Sequence, residues 1–438
     1  MRLFHASLQG WAKPADAFIA MYQAEPNAFW FDRETHPSHR FSVIGASAGQ
    51  INLEGDKPFE ALDEQLAALA VDEDIDVEFD WRPGLVGYLD YELAAPRFGF
   101  VDRALVFDHD KRETIFVGLF EDEASFTHWH HAALLRLSLI GGQYGQYRHA
   151  HQDFAQAGST RIRHDADAYL ARIARAQEHI RRGDVYQICL TNQIEAESSI
   201  DPLEAFLRLR EASPSPYSTF MRFGDVALVS ASPEQFIRVD SARQISSKPI
   251  KGTRRRGEDE QQDEALRQEL LGDPKERAEN LMIVDLMRND FSAVAEADSV
   301  SVPKLFDVET YASVHQLVST VTARLRADAS LGQAVSASFP GGSMTGAPKS
   351  RAMQIIAELE AGDRGIYSGA IGHFGCNGTA DLAMVIRTAV FEGERITIGV
   401  GGGIVLDSEP EAELAETRVK AKALLRALEL QDPWLGTW

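Results

Sequence analysis

Leu382-Ala383-Met384-Val385-Ile386-Arg387-Thr388-Ala389-Val390-Phe391, followed closely by Arg395-Ile396-Thr397-Ile398-Gly399-Val400, decides the fold. Both runs are rich in apolar and β-branched residues and read as strands. A third such run, near 366–374, stands just before them. The three succeed one another through short turns, which leave no room for the crossover that parallel strands need. This part of the chain is therefore expected to be antiparallel.

Further from it, Gly84–Tyr91, Thr114–Leu119, Val185–Leu190, Ala227–Ser230 and Gln235–Val239 also read as strands. A helix is predicted from Asp165, with Tyr169, Ile173, Ala176 and Ile180 at helical spacing and Gly183 as its stop. Further helices are predicted over 274–290, 347–360 and 409–428. Strand runs and helix runs are interspersed without strict alternation, which favours an α+β fold over a doubly wound parallel sheet. The polar, aperiodic span 141–160 reads as a connection between an N-terminal region, 1–145, and a second region, 160–430.

Composition narrows the function. The chain has 438 residues, 44% hydrophobic and 25% charged, the values of a soluble globular protein. No run approaches the roughly 18 apolar residues of a membrane span. Met1-Arg2-Leu3-Phe4-His5 does not open a signal peptide, so the expected location is the cytoplasm. The formal net charge of −22 argues against nucleic acid and anionic membrane as partners. A protein this acidic that binds an acidic substrate must concentrate cationic groups in its site. The two cysteines, Cys189 and Cys376, allow neither a metal-ligand spacing nor a disulfide framework, and both read as buried thiols.

Glu276 and Glu279 are three apart in Lys275-Glu276-Arg277-Ala278-Glu279-Asn280, and Glu413 and Glu416 repeat that spacing. On a helix each pair shares one face, and Lys420 lies on the face of Glu416. Two carboxylate pairs suit a hard cation such as Mg²⁺; solvated helix faces are the plain alternative. Arg387, inside an apolar strand, needs either a substrate carboxylate or a structural ion pair. Gly401-Gly402-Gly403, after a strand, would allow close backbone approach to a ligand or form a bulge. Lys251, between Ile250 and Gly252, is either a solvated turn lysine or a desolvated one whose lowered pKa makes it a nucleophile. Phe339 through Lys349 is a glycine-rich loop leading into a helix. Ala347-Pro348 stands where a nucleotide-binding loop needs its lysine, which speaks against nucleotide.

Taken together, Gly183–Gln187, Ser232-Pro233-Glu234, Pro249–Thr253, Lys275–Asn280, Phe339–Lys349, Arg364–Tyr367, Ile386-Arg387-Thr388 and Glu413 with Glu416 resemble the chorismate-utilising enzyme family. The resemblance is strong over 165–428 and weaker over 1–145. It implies two antiparallel sheets packed as a sandwich with helices outside, the N-terminal region being part of that sandwich. It also implies Mg²⁺ held by Glu279 and Glu416, with Glu276 and Glu413 close by. Gly252, Thr253, Tyr367, Arg387, Gly401, Gly402, Gly403 and Lys420 would bind chorismate, Lys251 would attack its ring, and Glu234 would protonate the leaving hydroxyl.

Two positions divide the family. Anthranilate synthases usually carry alanine where this chain has Lys251, and water-using members carry lysine where it has Gln187. Both point to the branch that aminates chorismate at carbon 4 for 4-aminobenzoate and folate synthesis; the alternative is anthranilate synthase component I. Gln316 stands where anthranilate synthases tend to have histidine. Phe29-Trp30-Phe31-Asp32-Arg33 departs from the Leu-Leu-Glu-Ser type of tryptophan site. Neither cysteine has the flanking glycines of a glutaminase nucleophile, so the ammonia is expected from a separate glutamine amidotransferase subunit.

Overall fold

A computed structural model describes residues 1–434 except 9, 54, 56, 72–73, 140–142, 151–157 and 312–313. It contains one sheet of 12 strands and one of 10, and every strand pairing is antiparallel. This is the expected α+β architecture. Strands from the first third of the chain lie in both sheets. Asn27–Asp32 pairs with Tyr217–Phe223, and Gly84–Leu89 pairs with Ala370–Gly375.

The sheets meet over an apolar layer that includes Phe29, Val43, Val86, Tyr88, Met221, Leu228 and Ile371, all nearly inaccessible to solvent. The outer face of the larger sheet is covered by helices. Ala166–Arg181 packs Tyr169, Ile173 and Ala176 into a second apolar cluster on that outer face, the periodicity read from the sequence. Pro274–Ser292 packs Ile283, Val284 and Met287 against the smaller sheet. No helix among the described residues is long and apolar enough to cross a membrane.

Three expectations need correction. The span 141–160 is not wholly a connection, because Gln143–Ala150 is helical and Thr160–Ile162 is a strand; 151–157 lie outside the described residues. Residues 382–391 are not one strand. Ala380–Met384 belongs to the smaller sheet and Thr388–Glu392 to the larger, so Arg387 lies on the link between sheets, with a left-handed backbone (φ 49°). The glycine triplet does not follow a strand. It lies within Arg395–Ile404, in unbroken register with Gln187–Glu197, so no bulge forms there. Apolar composition could not reveal the break at Arg387, because a strand that changes sheets is as apolar as one that does not.

Candidate active site

Where the apolar layer ends, the sheets part around a cavity of about 530 Å³. Its walls are Ile250–Arg255 from the smaller sheet and Arg395–Ile404 from the larger, and the helices Pro274–Ser292 and Pro410–Ala427 contribute their carboxylates to it. Lys251, Glu234, Gly252, Thr253, Tyr367, Arg387, Gly401, Gly402, Gly403, Lys420, Glu276, Glu279, Glu413 and Glu416 all line this one cleft. A second cavity, of about 210 Å³, contains none of them. Phe31 and Arg33 line it, and the Arg33 guanidinium lies 3.6 Å from Asp381 and stacks over Tyr217.

Local rules place each side chain. Gly252 has a left-handed backbone (φ 79°), and the pairing with Val314–Arg324 slips between Lys251 and Thr253. A β-carbon there would come within 2.9 Å of the Glu276 carboxyl carbon, so only glycine admits the bulge that brings Lys251 and Glu276 to the same cleft. Asp273 caps the Pro274–Ser292 helix by accepting from the Lys275 and Glu276 amides. Asn280 of that helix donates to the Pro249 carbonyl, 3.3 Å away, and so ties the helix to the strand of Lys251. Gly399 lets Tyr367 lie flat on the strand, since a β-carbon would stand 2.0 Å from the ring.

The carboxylates interleave with lysines. Lys251 Nζ lies 3.6 Å from Glu279 Oε2, Lys275 Nζ 3.2 Å from Glu413 Oε1, and Lys420 Nζ 2.8 Å from Glu416 Oε1. Lys420 also donates to the Gly401 carbonyl at 2.8 Å. Arg254 and Arg255 line the same cleft, so the acidic chain does concentrate positive charge there. The Arg387 guanidinium has no hydrogen-bond or ion-pair partner among the described residues, which speaks for a ligand over a structural ion pair.

Burial pushes the Glu234 carboxyl up to about 7. A Ser343 hydrogen bond and the charges of Lys251, Lys420 and Arg387 restrain the rise. For Lys251 the expectation of a lowered pKa is corrected. Burial does oppose its charge, but Glu279, with Cys189, Glu234 and Glu416, outweighs it, and the net shift is upward. The sequence showed the desolvation and hid the carboxylates.

A hard dication suits the donor chemistry of Glu276, Glu279, Glu413 and Glu416, and burial followed by the charge of Glu279 raises the Glu276 pKa, as crowded anions do. Yet no three carboxylate, histidine or cysteine groups among the described residues are gathered closely enough to hold a metal. Lys275 stands between the two helices and would have to give way.

Sequence reasoning missed Lys275 as a cleft residue, and Cys189 and Ser343 as wall residues, while Gln316, singled out by the resemblance, does line the cleft. The Lys275–Asn280 motif held the first in plain view. Of the glycine-rich loop, Ser343 and Met344 reach the cleft, while Lys349 turns away to Asp290 and the Ser338 carbonyl.

The sequence matches the chorismate binding enzyme family over residues 25–426. It is 42% identical over 456 residues to an aminodeoxychorismate synthase of Streptomyces griseus, covering 95% of this chain and 63% of that protein. It is 40% identical over 331 residues to aminodeoxychorismate synthase component 1 of Escherichia coli (strain K12), covering 76% of this chain and 70% of that one. The fold resembles the crystal structure of anthranilate synthase component I from Streptococcus pneumoniae TIGR4, with a TM-score of 0.77 at 28% identity over 88% and 92% of the two chains. The chain thus spans just under two thirds of the length of the Streptomyces relative.

Proposed function

We propose that this chain, which belongs to the chorismate-binding enzyme family, converts chorismate and ammonia to 4-amino-4-deoxychorismate, the precursor of 4-aminobenzoate in folate synthesis. The observation that carries the reading is Lys251, an amine inside the cleft where a ring-attacking nucleophile is needed. The similarity to aminodeoxychorismate synthases over most of the chain supports it.

In this reading Arg387 pairs with a substrate carboxylate, and the bare backbone at Gly401–Gly403 lets the ring lie against the strand. Lys251 loses a proton to solvent, against the pull of the carboxylates that raise its pKa, and the free amine Nζ bonds to ring carbon 2. The ring double bond shifts, and the carbon-4 hydroxyl leaves as water with a proton from Glu234. Ammonia then bonds to carbon 4, the double bond returns, and the Lys251 nitrogen departs. Chorismate plus ammonia gives aminodeoxychorismate plus water, and the enolpyruvyl group is kept. Mg²⁺, when bound by Glu279 and Glu416 with Glu276 and Glu413 nearby, would neutralise a substrate carboxylate. Supply of ammonia by a glutamine amidotransferase subunit belongs to the same reading.

The test is turnover of chorismate with an ammonium salt and Mg²⁺, read by product mass and by pyruvate. Aminodeoxychorismate without pyruvate is expected. Fluorescent anthranilate with stoichiometric pyruvate would make the chain an anthranilate synthase component I instead.

A further inference from the structure

Gln187 opens the strand Gln187–Glu197 and is 1% exposed, yet its Oε1 has no hydrogen-bond partner. Side chains alternate along a strand, so Gln187 shares a face with Cys189, which lines the cleft. Gly403 fixes what else is there. A β-carbon on it would lie 2.1 Å from Gln187 Nε2 and 3.1 Å from Lys251 Nζ. The amide of Gln187 and the amine of Lys251 therefore share one corner, over the bare face of Gly403.

Lys251 is also undersupplied. Among the described residues its one close carboxylate is Glu279, at 3.6 Å, beyond hydrogen-bond length. A side chain with a buried acceptor that lacks a donor thus neighbours a side chain with a buried donor that lacks a short acceptor, although it is Nε2 and not Oε1 that meets Lys251 at the corner. A half-turn of the amide exchanges Nε2 and Oε1 and carries the oxygen to the corner facing Lys251.

We propose that Gln187 is a positioning residue for Lys251: its amide oxygen accepts an N–H of the lysine, draws Nζ away from Glu279 and holds it over Gly403 for attack on the ring. The proposal rests on the reading of Lys251 as the nucleophile. A neutral amide suits the task, because it directs the amine without adding charge to a site already crowded with carboxylates.

The test uses Gln187→Met, which keeps side-chain length and burial but removes the strong acceptor. Without ammonia, intact-protein and peptide mass spectrometry follow growth of a chorismate-derived adduct on Lys251. The variant is expected to form it up to roughly tenfold more slowly, the scale of one hydrogen bond between neutral groups, with KM for chorismate within about twofold and melting temperature unchanged. Adduct growth at the wild-type rate would overturn the proposal. So would a variant that melts early and loses KM and rate together, since that marks a structural role. If Gln187→Met does not fold, Gln187→Leu, which also lacks the acceptor, takes its place, and adduct growth at the wild-type rate there counts against the proposal. Absence of any Lys251 adduct in the wild type is a different result: it removes the nucleophile assignment itself.

Discussion

Glu234 and Arg387 occupy two neighbouring points among those at which the chain passes between the sheets, and each of these crossings is hydrogen-bonded to the other. The Met384 amide donates to the Glu234 carbonyl at 3.1 Å, and the Ala231 amide donates to the Arg387 carbonyl at 3.1 Å. An acid and a cation are thereby fixed side by side at the edge of the apolar layer, on backbone that cannot shift without breaking both sheets. The pair supplies two predictions.

Glu234 titrates near neutrality because burial raises its pKa to about 7. A carboxyl raised in this way is protonated, and able to donate, below that value. At a fixed concentration of free ammonia, kcat/KM for chorismate is expected to fall as pH rises through about 7. Glu234→Gln should be slow and should lose that limb. A profile flat from pH 6 to 9 would exclude Glu234 as the acid.

The Arg387 guanidinium lies in the cleft with no direct protein partner among the described residues, and burial outweighs the charges of Glu234 and Glu416, so its pKa falls until a substrate anion arrives. Arg387→Ala should raise KM for chorismate roughly 10- to 100-fold, the scale of about 1.5–3 kcal/mol for a hydrogen bond to a charged group. Thermal stability should hold or improve, because a buried charge that is only partly compensated is removed. A variant with wild-type KM and a lower melting temperature would mark Arg387 as structural.

These two residues also show where the sequence was legible. The site residues were readable because each motif is local: one turn of helix fixes Glu276 with Glu279, and one bulge fixes Lys251 with Gly252. That all of them meet in one cleft follows from pairings between residues as distant as Gly403 and Cys189, which no local pattern encodes. The same reason explains two of the four corrections. The strand break at Arg387 and the upward shift of Lys251 both depend on what comes from elsewhere in the chain: the second sheet in one case, Glu279 in the other.

Lys251→Ala tests the covalent route. Without ammonia the wild type should accumulate a chorismate-derived mass on Lys251, and the variant should accumulate none. Its amination rate should fall at least a hundredfold at low ammonia, on the scale of losing an activated nucleophile, with partial recovery at high ammonia through direct attack. Borohydride should trap nothing, since the adduct is an amine. An adduct on any other residue would displace Lys251 from the role.

Metal dependence should follow the carboxylates that the lysines now hold. Chelation of Mg²⁺ is expected to abolish turnover, and Glu416→Gln should weaken it by orders of magnitude, as loss of a direct oxygen ligand does. Lys275→Met is more specific. Lys275 bridges toward Glu413 and must withdraw for a cation to enter, so its removal should lower the Mg²⁺ concentration needed for half-maximal activity. A higher requirement in Lys275→Met would mean that the lysine assists the site and does not compete with the metal.

The source of nitrogen is the last prediction. Hydrolysis of glutamine by a cysteine needs an accessible thiolate, and this chain has two cysteines to offer. Both are buried and free. Burial pushes the Cys376 thiol up to about 11, and it raises Cys189 as well despite the nearby charges of Arg364 and Lys251. At neutral pH neither is a nucleophile of the kind that attacks an amide. Cys376 sits in the turn after Ala370–Gly375, and Cys189 faces the cleft from a strand whose Leu190 packs in the core. The purified chain should therefore turn over chorismate with ammonium salts, increasingly as pH supplies free ammonia, and should give no product with glutamine alone. Addition of a glutamine amidotransferase subunit should restore glutamine use, and alkylating that subunit's cysteine should abolish it again while ammonium-dependent turnover persists. Glutamine-dependent product from this chain alone, surviving replacement of both Cys189 and Cys376 by serine, would show that its nitrogen comes by another route.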